Sequence, residues 1–196
     1  MYGLVTITPP AVEPVSLARA KAHLRIDHDE EDDLITGWIR AARELTEQYT
    51  GKRWVTQTVR LTLAGWPDDC TSDIAGAIRL PVEPVASVDA LRYFDAAGTE
   101  QTLDAEGYQT WLEHSPPLVC PPPDGYWPAL KRGKVKPVTI EFTAGGPLQN
   151  VPAGVSVAML LAIGNWDENR GDAGNAKSLP PAAKAQLDLL WNGAYS

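Results

Sequence analysis

The chain has 196 residues, 44% of them apolar, with 17 Lys and Arg against 25 Asp and Glu for a formal net charge of −8. That is enough to bury a core without metal or disulfide staples, and the acidic balance speaks against a dedicated nucleic-acid binder, which carries a basic face. No apolar run approaches the roughly 20 residues needed to cross a bilayer, Met1 to Pro10 has no leader-like pattern, and Cys70 and Cys120 read as free thiols in a cytoplasmic setting.

Ser16 is a natural N-cap, and Leu17, Ala20, Lys21 and Leu24 recur at helical spacing, which predicts a short helix ending near Ile26. A longer helix is predicted from Asp29 to Tyr49. Leu34, Ile35, Trp38, Ile39, Ala42, Leu45 and Tyr49 form its apolar stripe, and Gly51 closes it. Arg40, Arg43, Glu44 and Glu47 fall on the opposite side, with Arg40 and Glu44 spaced to pair. The acidic run between the helices alternates Asp27, Asp29, Glu31 and Asp33 as a calcium loop does. Asp32, however, stands where such a loop needs glycine, and Trp38 where it needs a bidentate Glu. The run reads instead as a joint, with Asp29 as N-cap and carboxylates offsetting the positive helix end.

After Trp54 the period changes to two. "TVRLTLAG", "AIRLPVEPV", "VDALRYFDAAGTEQTL", "GYQTWLE" and "VKPVTIEFTAGG" predict roughly six strands, with "DAAG" as a hairpin turn and the prolines confining several strands to edges or boundaries. Helical spacing returns at Val151 with Val155, Ala158, Met159, Leu161, Ala162 and Trp166 on the buried side. A last helix starts at Pro180 and Pro181, with Leu187, Leu190 and Trp191 facing inward. The expected class is α+β: a helical core of N-terminal helices (14–52) and C-terminal helices (151–192), with an antiparallel β-region (55–146) inserted, in one domain over 1–196.

Catalytic and metal signatures do not assemble. His23, His28 and His114 have no ligand or triad spacing, and no phosphate loop or nucleophile elbow occurs. An enzyme is not expected, and neither a cofactor nor a metal. Of the seven tryptophans, Trp38, Trp166 and Trp191 lie on helical apolar stripes. Trp54, Trp66, Trp111 and Trp127 are less constrained and leave open a cytoplasmic binding module with an aromatic groove. Lys131, Arg132, Lys134 and Lys136 form the one basic cluster. It reads equally as a contact for DNA phosphates or an acidic partner, or as a charged strand edge.

The stretch "SLARAKAHLRIDHDEEDDLITGWIRAARELTEQYTGKRWVTQTVRLTLAGWP" resembles the head-to-tail connector (adaptor) proteins of long-tailed bacteriophages and gene transfer agents. The order of "IRLPVEPVASVDALRYFDAAGTEQTL", "VTIEFTAGG", "VPAGVSVAMLLAIGNWDENR" and "LPPAAKAQLDLLW" agrees, so the resemblance runs from about residue 14 to 192. It implies a structural virion protein in the neck of the particle, assembled in the host cytoplasm, with no role at a membrane. It also implies self-association as a ring, generally dodecameric, under the portal protein and above a head-closure or tail-side neck protein. DNA would pass the ring's lumen without specific binding. Leu187, Leu190, Trp191 and Tyr195 at the C-terminal end become the candidate portal contact, and truncation after Pro180 is expected to leave a folded chain that no longer joins portal-containing particles. Another neck component, a head-closure or tail-end protein, is the nearest alternative, and the terminal helices argue against its more β-dominated build.

Overall fold

The computed structural model describes residues 2–67, 74–170 and 178–190. The fold is α+β, with the elements in two compact units: the strands in one (the described residues to Pro9 and within Thr56–Gly145) and the helices in the other (Pro10–Val55 with the described residues after Gly145).

In the helical unit, Ser16 caps α1 (Leu17–Leu24) by accepting a hydrogen bond from the Arg19 amide at 3.2 Å. Arg25 ends it in the left-handed region. α2 spans Asp32–Thr50 and closes on Gly51 at φ 69°, where a side chain would be strained. It begins three residues later than the sequence predicts. Glu31, not Asp29, occupies the cap position, and Asp29 instead binds Lys21. α3 (Ala153–Glu168) is apolar on nearly every side and buries Val155, Ala158, Met159, Ala162 and Ile163 completely. α4 (Pro181–Asp188) adds Ala183 and Leu187, both with no exposed surface.

Two expectations for α2 fail. Leu34, in its first turn, and Tyr49, in its last, both placed on the apolar stripe, are 43% and 39% exposed. Arg43 and Glu47, assigned to the solvent side, are buried. The chain leading into α1 crosses that side: Glu13 accepts from Arg43 Nε at 2.8 Å, while Glu47 accepts from Arg43 at 3.0 Å and from the Trp54 amide at 3.1 Å. Glu44 lies 3.5 Å from Arg43 Nη2.

The β-unit is built on a five-stranded antiparallel sheet in the order β1-β2-β8-β4-β5. Its strands are β1 (Tyr2–Thr8), β2 (Gln57–Leu63), β4 (Val85–Phe94), β5 (Glu100–Leu103) and β8 (Val138–Ala144). Alternation places Val59, Leu61, Leu91, Val138, Ile140 and Phe142 on one buried face. A second sheet, ordered β3-β7-β6 (Ile78–Arg79, Leu118–Cys120, Gln109–Trp111), contributes Ile78 and Val119 to the same core, which Leu80 and Val82 complete. The β4–β5 hairpin forms at the predicted "DAAG": the Asp95 carboxylate accepts from the Gly98 and Thr99 amides at 2.9 and 3.0 Å. Strands β1 and β7 are not among those read from the sequence.

Candidate functional site

Among the described residues no catalytic constellation converges in either unit, so the candidate sites are surfaces. The acidic joint between α1 and α2 is the first. Lys21 reaches back with Nζ at 2.6 Å from Asp29 and 2.7 Å from Asp32. Arg170, beyond the end of α3, is bidentate on Glu31 and also holds Asp167. These hydrogen bonds keep the Asp29 and Glu31 carboxyls below the usual carboxylate range and push Lys21 up. The joint is therefore an ion-paired clasp between helices, with Arg170 also lying 5.4 Å from the Trp38 ring.

The basic cluster occupies the loop between β7 and β8. Lys131, Arg132, Lys134 and Lys136 are all exposed. Gly133 at φ 72° and Lys136 at φ 54° shape the turn. The loop is fastened to the end of β4: the Lys131 amide donates to the Phe94 carbonyl at 3.1 Å, and Lys134 Nζ sits 3.8 Å from the Phe94 ring centre. Four cations are thus presented on a fixed turn. β8, into which the loop leads, is the central strand of its sheet, while the loop itself lies at the turn between β4 and the edge strand β5, with Lys131 beside Gly98.

The C-terminal helix divides the candidate portal residues. Leu187 is fully buried in the helical core, and Leu190 is partly buried against it, near Gly154. Leu189 between them is 83% exposed. Trp191 and Tyr195 lie outside the described residues. The Tyr49 hydroxyl donates to Asp188 at 2.6 Å, which fixes the end of α4 on α2 and pushes the Tyr49 hydroxyl pKa up. Truncation after Pro180 would remove Ala183 and Leu187 from the core, so it tests folding before it tests docking.

The less constrained tryptophans are mostly structural. Trp54 is buried and donates to the Thr46 hydroxyl at 3.1 Å. Trp66 and Trp127 stack on each other at 4.5 Å and donate to the Pro128 and Gly76 carbonyls, both at 2.7 Å. Their facing surfaces are occupied. A groove of about 410 Å³ beside them is lined by Pro67, Gly76, Pro121, Gly125, Tyr126 and Trp127. Trp111 is half exposed against His114, whose Nδ1 lies 2.7 Å from the Pro116 carbonyl. His28 contacts Glu30, and His23 Nε2 lies against α3 at Gly164. The histidines share no site.

Sequence reasoning missed the open face of β1. Its signal was present in "YGLVTITPP": β-branched residues in an uncharged run, stopped by two prolines.

The sequence model for the family described as Phage gp6-like head-tail connector protein matches residues 14–109. Among solved structures, the chain is similar to one in the neck of an empty gene transfer agent particle computed with C6 symmetry, at 28% identity and TM-score 0.74, over 97% of this chain and 95% of that one. A chain in the virion of a native gene transfer agent particle matches at 27% identity and TM-score 0.74, over 96% and 94%. A third, from the native neck computed with C12 symmetry, matches at 28% identity and TM-score 0.66, over 97% and 94%. No curated protein matches the chain. The resemblance read from the sequence holds in both kinds of comparison, and these matches support a structural connector role.

Proposed function

We propose that this chain is a structural protein of the neck of a tailed virus or gene transfer agent particle, one subunit of a ring that joins head to tail. The observation that carries this reading is the likeness to a neck subunit over 97% of the chain. The role is noncatalytic and calls for no cofactor. Cyclic symmetry in the similar necks, C6 and C12, supports a ring of twelve copies in which each subunit meets its neighbours through two different faces.

Within that ring the chain would meet the portal protein on one side and a head-closure or tail-side protein on the other. The end of α4 supports the portal contact: Leu187 anchors the helix to its own core and Leu189 is exposed beside it, and Trp191 and Tyr195 follow in the sequence. The loop with Lys131, Arg132, Lys134 and Lys136 presents cations to an anionic surface, whether a partner's carboxylates or phosphate. DNA passes the lumen without sequence-specific contact. Cryo-electron microscopy of particles from the native source tests the reading. A ring of this chain directly below the portal is the expected result; particles whose neck lacks the chain would overturn it.

A further inference from the structure

We infer that strand β1 pairs through its open edge with strand β5 of a second copy of this chain, so that neighbouring subunits share one continuous sheet. The inference rests on the ring reading and goes beyond it by naming the two faces that close the ring.

The first observation is the composition of β1. Tyr2–Thr8 contains no charge and no proline, and Val5, Thr6, Ile7 and Thr8 are consecutive β-branched residues. The nearest charged residue in the sequence is Glu13. Val5 is 63% exposed and Ile7 39%. A free edge row of amide and carbonyl groups is a template for strand addition, and proteins guard such edges with lysine, proline, inward charges or a cover. Within β1 the one such device is an irregularity between Thr6 and Thr8, near the end of the strand, with Pro9 and Pro10 just beyond it. The chain's basic cluster sits at the β4–β5 turn, where Lys131 lies beside Gly98, and does not guard β1.

The second observation is the opposite edge. Among the described residues β5 pairs only with β4, and its Glu100, Gln101 and Thr102 are exposed. Every neighbouring pair in the sheet is antiparallel. Across five strands this alternation makes β1 and β5 run in the same direction. A rotation about an axis along the strands therefore lays β5 of one copy beside β1 of the next, in parallel, with both polar faces on the same side. Two distinct edges of one sheet are what a head-to-tail, ring-closing contact requires. The edges of the smaller sheet, β3 with two residues and β6 with three, offer less ladder.

Paired cysteines test the contact inside particles. Val5 lies opposite Arg60, and Thr102 opposite Arg92, which puts both on the polar face of the sheet. Val5→Cys combined with Thr102→Cys, and in a second variant with Glu100→Cys, covers the two registers that keep this face aligned. A disulfide needs Cα atoms within about 7 Å. Mild oxidation should give a ladder of covalent multimers on non-reducing gels for at least one pair, and none for either single substitution. An amine-reactive cross-linker on the same particles reports the ring independently. An amine ladder without a disulfide ladder would overturn the sheet contact and leave the ring standing. No ladder with either reagent would overturn both. The variant Val5→Lys/Ile7→Lys should keep its circular dichroism and enter particles at least tenfold less; normal entry would overturn the proposal.

Discussion

Arg43 and Glu47 stand four residues apart on α2, a spacing worth only a few tenths of a kcal/mol on an exposed face. Burial changes the arithmetic. Both side chains are about 5% exposed or less, so each is costly to leave alone, and Glu47 also accepts the Trp54 amide. Glu47→Ala should therefore lower stability by about 3–5 kcal/mol, the usual cost of stranding one member of a buried pair. Arg43→Met/Glu47→Leu should cost less than the sum of the two single changes, because the pair leaves together while Glu13 and Arg53 each lose a neighbouring charge; urea unfolding of the three variants checks this. On the sheet's polar face, Glu141 behaves differently. Arg60 at 2.7 Å and Arg92 at 3.1 Å hold its carboxyl below the usual range. Its folded pKa is lowered, so its contribution is present above the unfolded value and is lost as pH falls through the folded one. With Arg60 nearly half exposed, that contribution is below about 1 kcal/mol. Arg60→Ala should move the Glu141 titration upward, as read by carbon-detected NMR.

At the scale of elements, α4 shows why a helix can be read correctly and its use misjudged. Helical spacing put Leu187 and Leu190 on one inward face, but periodicity does not say whether inward means this chain's core or a partner. Leu187 belongs to the core, and Leu187→Ala should cost about 2–5 kcal/mol. Truncation after Leu190 keeps the helix and removes Trp191 and Tyr195. The shortened chain should melt within a few degrees of the full one and fail to join portal-containing particles, and normal incorporation would sink the portal role of this end. The same division explains the rest of the reading. The middle of the α2 stripe, the Ser16 cap, the Gly51 stop and the Asp95 hairpin are local, and each was legible. The burial of Arg43 and Glu47 was not, because it depends on Glu13 and Trp54 arriving from elsewhere in the chain. β1 escaped because half its residues face out and its alternation is apolar on both faces. β7 escaped because three residues between prolines carry no measurable period.

For the whole molecule, charge decides which ring contacts are tenable. Twelve copies would carry −96, twelve times the net charge of −8, so long-range repulsion opposes closure at low salt. Without the four cations of the basic loop the chain keeps 13 cations against 25 anions, so the average field around the rest of it is negative. A contact between the β1 edge, which has no charge, and the β5 edge, whose one charged residue is Glu100, gains nothing from ion pairing, and screening only removes the repulsion around it. A contact between the basic loop and a neighbour's acidic joint would behave in the opposite sense. The screening length falls from about 10 Å at 0.1 M salt to about 3 Å at 1 M, which separates the two cases. Particles washed across that range should retain the chain in their necks at the high end if edges close the ring. Progressive loss of the chain with rising salt, measured by quantitative gel analysis of pelleted particles, would assign closure to ion pairs instead, and would leave the open edge of β1 to a different partner strand.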